Sequence, residues 1–129
     1  MNVPDELLYT KTHEWAKRES TDTVIGITSH AQQELRDVVF VEVPKVGRVV
    51  KQGEAVAVIE SVKAAFDIYA PISGTVSRVN EVLTKSPQTV NEDCYSKGWL
   101  FAITPSAPAE FTNLMTAANY SKQIQAATH

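Results

Sequence analysis

At 129 residues the chain is the size of one domain, long enough to bury about two thirds of the surface its unfolded form would expose, with no need of a covalent staple. Its apolar fraction of 43% and charged fraction of 21% are ordinary for a globular protein, and a net charge of -3 gives no electrostatic basis for binding nucleic acid or an anionic membrane. The one cysteine, Cys94, rules out an internal disulfide, and no apolar run approaches the roughly 18 residues of a membrane span.

Met1 to Glu6 lacks the basic-then-apolar order of a signal or transit peptide. The expectation is a complete cytoplasmic protein, with a processed organellar protein as the alternative. Residues 1–8 read as an arm over the body. Tyr9 to Lys17 has period-two character, with Trp15 as its inward anchor. Glu19 to Asp22 is a turn by composition, and Thr23 to Thr28 is a strand with Val24, Ile25 and Ile27 as its apolar content. Ser29 with Gln32 three residues later forms a capping-box pattern that opens a short helix near 29–35, and Ala31 and Leu35 share one of its faces.

Val38 to Val43 is β-branched and strand-like, and Pro44 ends it. Lys51 to Glu54 is a turn. The apolar strand 55–59 then leads into Glu60-Ser61-Val62-Lys63-Ala64-Ala65, which places Lys63 at a hairpin tip. Pro71 suits an edge or strand-start position, Ser73-Gly74 a turn, and Thr75 to Val79 the return strand. Asn80 to Leu83 is one helical turn, and 84–97 is the least regular stretch. Trp99 to Ile103 is the last strand, with Trp99 and Phe101 on one face. A C-terminal helix near 107–119 is expected from Phe111, Leu114, Met115 and Ala118 at i, i+3, i+4 and i+7, packed on the sheets, with a tail that frays after Tyr120. Short strands with frequent turns and no repeated long helix predict a mainly β fold, a β-sandwich or flattened barrel.

No conventional active site is visible. His13, His30 and His129 are far apart in sequence and match no metal-ligand spacing, so no metal site is expected. The nucleophile-elbow, P-loop and dinucleotide signatures are missing, and nothing near Cys94 would activate it. Carboxylates such as Glu92-Asp93 sit in turn-like sequence as solvated charges. That leaves the block from Gly47 to Gly74, arranged about Lys63. A lysine alone at a turn is ordinarily a solvated surface group. A lysine on a tight turn between two strand pairs also meets the demands of a swinging-arm carrier. It is reachable by a modifying enzyme, and it projects from a rigid scaffold so that only the arm moves.

Ala57 to Ala64 followed by Asp67 to Gly74 closely resembles the lipoyl-attachment region of the glycine cleavage H-protein family. The resemblance runs along almost the whole chain. It takes in His13-Glu14-Trp15, Gly26-Ile27-Thr28 with Ala31, Gln32 and Leu35, Val39 to Glu42 with Pro44, Val46-Gly47, and Val90-Asn91 with Tyr95, Gly98 and Trp99. Three positions depart from the usual pattern. Arg36 stands where glycine is usual after the short helix, Cys94 where proline is common, and Phe66 where the residue is usually small.

The resemblance implies a fold of the lipoyl/biotinyl-carrier type. It would be a single domain over 1–129, with a lipoyl-type hairpin core at about 38–80 and a C-terminal helical segment at 105–129. It implies a carrier and not an enzyme, with lipoic acid joined by an amide to Lys63. Glu60 resembles the acidic residue that the lipoylating enzyme recognises, and Gly47 and Gly74 are structural turns of the motif. By motif position Glu14 and Asp67 face a surface cleft that shelters the arm and pair there with a cationic amine; the alternative reading is two solvated carboxylates.

The implied partners are a pyridoxal-phosphate glycine decarboxylase, a folate-dependent aminomethyltransferase, a flavin-containing dihydrolipoamide dehydrogenase, and a lipoyl or octanoyl transferase or ligase. Neither nucleic acid nor membrane is expected. In that system the decarboxylase passes an aminomethyl group to the oxidised arm, the transferase takes the one-carbon unit and releases ammonia, and the dehydrogenase reoxidises the dithiol. The implied location is cytoplasmic in a bacterium, with a mature mitochondrial form as the alternative. Alternative functions are a carrier that relays lipoate to other proteins, a biotinyl or 2-oxoacid dehydrogenase carrier domain, and an unmodified interaction domain. Val62 and Ala64 argue against biotin, whose attachment lysine typically has methionines beside it.

Overall fold

A computed structural model describes residues 3–127. The first two residues of the expected N-terminal arm and the last two of the expected frayed tail, among them His129, lie outside the described residues. Among the described residues, nine strands form two antiparallel sheets. The larger sheet has the order β1 (Leu8–Tyr9), β2 (Glu14–Arg18), β3 (Thr23–Ile27), β9 (Phe101–Pro105), β8 (Gly74–Val79) and β5 (Val49–Val50). The smaller has the order β4 (Val38–Glu42), β6 (Ala55–Ser61) and β7 (Ala65–Tyr69).

The period-two alternation of β3 and β9 makes the larger sheet the middle layer of the molecule. Ile25, Ile27, Phe101 and Ile103 point to one side, where they pack with Val41, Ile59, Ile68 and Ile72 between the two sheets. Val24 and Ala102 point to the other side, into a second cluster with Tyr9, Trp15, Tyr120 and Ile124. All five residues of β3 are buried because both faces of the strand are covered. Trp15 lies directly over Gly26, its cross-strand partner, where a Cβ would fall 2.4 Å from the indole. Its Nε1 donates to the Cys94 carbonyl at 2.9 Å.

Several boundaries differ from the sequence reading. Tyr9 to Lys17 is a hairpin and not one run. The chain reverses at residues 11–13, where His13 takes φ 74°, and β1 pairs back on β2. Helix α1 (Ser29–Leu35) is capped by Thr28 and not Ser29; the Thr28 hydroxyl accepts from Ala31 N. Pro71 lies in the link between β7 and β8, outside any strand. The expected helical turn at 80–83 is α2 (Val82–Lys85), and the irregular stretch holds α3 (Thr89–Glu92), which turns Val90 into the core. The last strand begins at Phe101, so Trp99 precedes it. Trp99 packs with the second cluster and Phe101 with the first, so they do not share a face.

The C-terminal segment is helical but divided. A 3-10 helix (Pro108–Asn113) ends where Met115 bridges to Tyr9, and α4 (Ala117–Ala127) follows. The break displaces the expected apolar stripe. Ala118 is exposed, while Ala117, Tyr120 and Ile124 face the sheet, and the tail past Tyr120 stays helical. The Tyr9 and Tyr120 rings stack at 4.7 Å. Among the described residues, no helix is long and apolar enough to cross a membrane.

Candidate functional site

Strands β6 and β7 pair from Ala55↔Tyr69 to Glu60↔Ala65, so the link between them is short and Lys63 sits on it in solvent. Ser61 locks the turn. Its amide donates to the Ala64 carbonyl at 2.8 Å, and its hydroxyl oxygen accepts from the amides of Lys63 and Ala64. The Val62 amide donates to the Asp37 carbonyl at 3.0 Å, which ties the tip to the link between α1 and β4. The backbone under Lys63 is therefore fixed, and its freedom lies in its side chain. Glu60 is exposed on β6, between Phe40 and Ala65 in the ladder.

The two motif glycines do different work. Gly47 takes φ 94°, a backbone that side chains seldom adopt, and its amide donates to the Val76 carbonyl at 2.8 Å. Gly74 lies against β9, where a Cβ would meet the Thr104 carbonyl oxygen at 2.1 Å. Both hold the sheet behind the hairpin and neither touches Lys63.

A cavity of about 190 Å³ lies beside β7. Its apolar lining is Ile27, Ala31, Leu35, Phe66 and Ile68, and its polar lining is Thr12, His13, Glu34 and Asp67. Asp67, four residues after Lys63 on the same hairpin, thus faces an apolar hollow. Phe66 forms part of the wall and is 40% exposed.

Glu14 has a different setting. It is buried at 1% exposure, and Thr10 and Thr12 donate hydroxyls to its Oε1 while the Tyr69 amide donates to Oε2 at 3.1 Å. Burial pushes its carboxyl above the usual range, and these bonds pull against that shift. The solvated alternative therefore fails for Glu14. It lines a neighbouring cavity with Gln52, Tyr69 and Asn113, not the one that Asp67 faces, and Thr12 is shared by both.

The fold also joins residues that sequence spacing kept apart. The His13 and His30 rings lie 4.6 Å from each other, and His30 pairs with Glu34 one helical turn on. His13 Nδ1 lies 2.7 Å from the Tyr120 hydroxyl. Burial, and then the neighbouring His30, hold the His13 imidazole below its ordinary pKa. The signal available in the sequence was the i, i+4 pairing of His30 with Glu34; the third member, seventeen residues before His30, carries none. The Cys94 thiol is buried and pushed up to about 11, so it is the inert packing group expected.

Comparison with known proteins agrees with this geometry. The family model described as Glycine cleavage H-protein matches residues 7–127. A glycine cleavage system H protein of Nitrosomonas eutropha is 52% identical over 130 residues, covering 100% of both chains. One from Thermus thermophilus is 49% identical over 125 residues, covering 97% of this chain and 98% of its own. The crystal structure of a glycine cleavage system H protein from Mycobacterium marinum superimposes with a TM-score of 0.88 at 36% identity, over 95% of this chain and 99% of that one.

Proposed function

The chain belongs to the glycine cleavage H-protein family, and from that premise we propose that Lys63 is the residue that bears its lipoyl group. This chain is a lipoyl carrier of the glycine cleavage system, acts with the other components of that system, and is not itself a catalyst. The lipoyl group, once attached, supplies a disulfide that accepts the carried group and is reduced and reoxidised in turn.

The observation that supports Lys63 is its seat. It stands on a short turn closed by the Ser61 hydroxyl, at the end of a hairpin whose second strand walls an apolar cavity. Exposure alone would not choose among the lysines. Lys11, Lys17, Lys51 and Lys97 are exposed as well, and none of them stands on the β6–β7 turn. Glu60, three residues earlier on β6, is the feature a lipoyl or octanoyl transferase or ligase would read.

The side chains divide the work. Ser61 fixes the direction from which the arm leaves. Leu35, Phe66 and Ile68 offer an apolar surface on which an arm settles with water excluded. Asp67 presents negative charge to a cationic amine carried on the arm. Glu14, its oxygens already engaged, acts by holding Thr12 in place along the cavity's edge. Residues 38–80 form the lipoyl-type core, 105–129 the C-terminal segment, and 1–129 one carrier domain. The specific partners in this reading are the glycine decarboxylase, the aminomethyltransferase, the dihydrolipoamide dehydrogenase and the lipoylating enzyme, in the bacterial cytoplasm.

Intact-mass measurement of protein from its own host tests the assignment. One lipoyl adduct per chain is expected, and Lys63→Arg removes it. A native protein without the adduct, or an adduct that persists in Lys63→Arg, overturns the assignment of Lys63.

A further inference from the structure

His13 comes from the turn before β2, and His30 and Glu34 come from successive turns of α1. One ligand-capable atom of each lies within 4.8 Å of the other two. We propose that these three side chains form a zinc site, with a fourth coordination position open to the cavity that His13 and Glu34 both line. This goes beyond the carrier function and does not depend on the modification of Lys63.

The donor set points to the metal. Two imidazole nitrogens and one carboxylate oxygen, with a fourth position left open, are the ligands zinc takes in three-ligand protein sites. Calcium and magnesium call for all-oxygen shells and would reject the imidazoles. Zinc–ligand distances of about 2.0–2.1 Å place tetrahedral ligand atoms roughly 3.3 Å apart. His13 therefore has to close inward, while His30 and Glu34, already in contact, have to part slightly to admit the ion. Glu34 is largely exposed, with 63% of its side chain in solvent, and is free to rotate toward the metal.

The second shell is already in place. His13 Nδ1 lies within hydrogen-bond distance of the Tyr120 hydroxyl, which in turn bonds the Thr28 hydroxyl at 2.7 Å. That chain holds the His13 ring by Nδ1 and leaves Nε2 for a metal, the kind of hydrogen bonding that orients metal-binding histidines. His30 and Glu34 already hold each other at i, i+4 spacing on one face of α1. Zinc would replace the His30 Nε2 proton in that contact. The proton moves to Nδ1, the imidazole stays neutral, and Glu34 stays a carboxylate. A water completes the shell from the cavity side. The bound ion would tie α1 to the β1–β2 turn.

Zinc is titrated calorimetrically into the untagged full-length chain carrying Lys63→Arg, so that no dithiol on an arm competes. Cobalt absorption in the visible range reports the geometry. One saturable site per chain with a tetrahedral cobalt spectrum is expected. His30→Ala, largely covered on α1, and Glu34→Gln, on its exposed face, should each weaken zinc by more than about tenfold, since loss of even a partner that only orients a ligand costs that much. His13→Asn should do the same, because asparagine tolerates the left-handed backbone at position 13 and keeps the turn. Circular dichroism checks that each variant is folded. No saturable zinc uptake, or an affinity that either helix substitution leaves unchanged, overturns the site.

Discussion

Asp22 holds the β2–β3 turn with both carboxylate oxygens. Oδ2 accepts from Arg78 Nε at 2.9 Å and from the Ser77 hydroxyl, and Oδ1 accepts from Arg78 Nη2 at 3.0 Å. The Arg78 hydrogen bonds hold the Asp22 carboxyl below its ordinary range, against a smaller opposing effect of burial. Its folded pKa is thus lower than its unfolded one of about 3.9. The stabilisation is complete above the unfolded value and is lost as pH falls through the folded one. Asp22 is buried but the Arg78 side chain is 47% exposed, and screening on that side keeps the contribution near 1 kcal/mol. Asp22→Asn should cost about that much at pH 7, measured by urea unfolding, and the gap to the parent should narrow below about pH 3.9. An equal gap at both pH values would show that the ion pair is not its source. At this scale the sequence carried some sites and hid others. The place of Lys63 follows from local pattern, because its neighbours along the chain build its turn. Glu14 and Asp22 are charged residues in or beside turns, and nothing local says that the Tyr69 amide will meet one and the Arg78 guanidinium the other as they are buried.

Elements were legible where periodicity was unbroken, as in β3, β6 and α1. They were misjudged where the chain reverses or is interrupted at a single residue. The end of α1 falls where the sequence puts it, but what holds it there comes from a distant residue. Arg36 takes φ 64° and ψ -145°, its amide donates to the Gln32 carbonyl, and its own carbonyl accepts from Asn91 Nδ2 at 2.6 Å. Asn91 also accepts from the Val38 amide, so it clasps the helix end to the start of β4. The clasp explains how a residue other than glycine persists in that conformation. Strain there is worth about 1–3 kcal/mol. Glycine would relieve it and give back roughly 0.4–1 kcal/mol through the freer unfolded chain. Arg36→Gly should therefore stabilise the protein by about 1 kcal/mol, seen as a higher denaturant midpoint at unchanged slope. Arg36→Ala keeps the strain and should bring no gain; a gain equal to that of glycine would mean that the arginine side chain, and not the backbone, was at fault.

The molecule as a whole is a three-layer arrangement: the small sheet with its Lys63 hairpin, the larger sheet in the middle, and α4 outside it. Alternation along β3 and β9 shows apolar residues on both faces, so a second covering layer follows from the sequence once the strands are known. Which C-terminal residues supply that layer does not follow. The 3-10 helix and the Met115 bridge to Tyr9 set the register of α4 through contacts with the other end of the chain. Glu110 adds to this by accepting from the Ser73 amide and hydroxyl, which fixes the segment before α4 to the turn behind the hairpin. The two registers predict opposite results. A continuous helix would bury Ala118 and leave residue 124 in a frayed tail. The divided one exposes Ala118 and places Ile124, 8% exposed, against the cluster of Tyr9, Trp15 and Tyr120. Ile124→Ala should destabilise by about 2 kcal/mol, at the low end for core truncation because a terminal helix can settle into the space. Ala118→Gln should stay within about 0.5 kcal/mol of the parent. Because the hairpin lies on the far side of the larger sheet, neither substitution should change the mass adduct on Lys63. A destabilising Ala118→Gln paired with a neutral Ile124→Ala would restore the continuous helix and dismantle the outer layer as described.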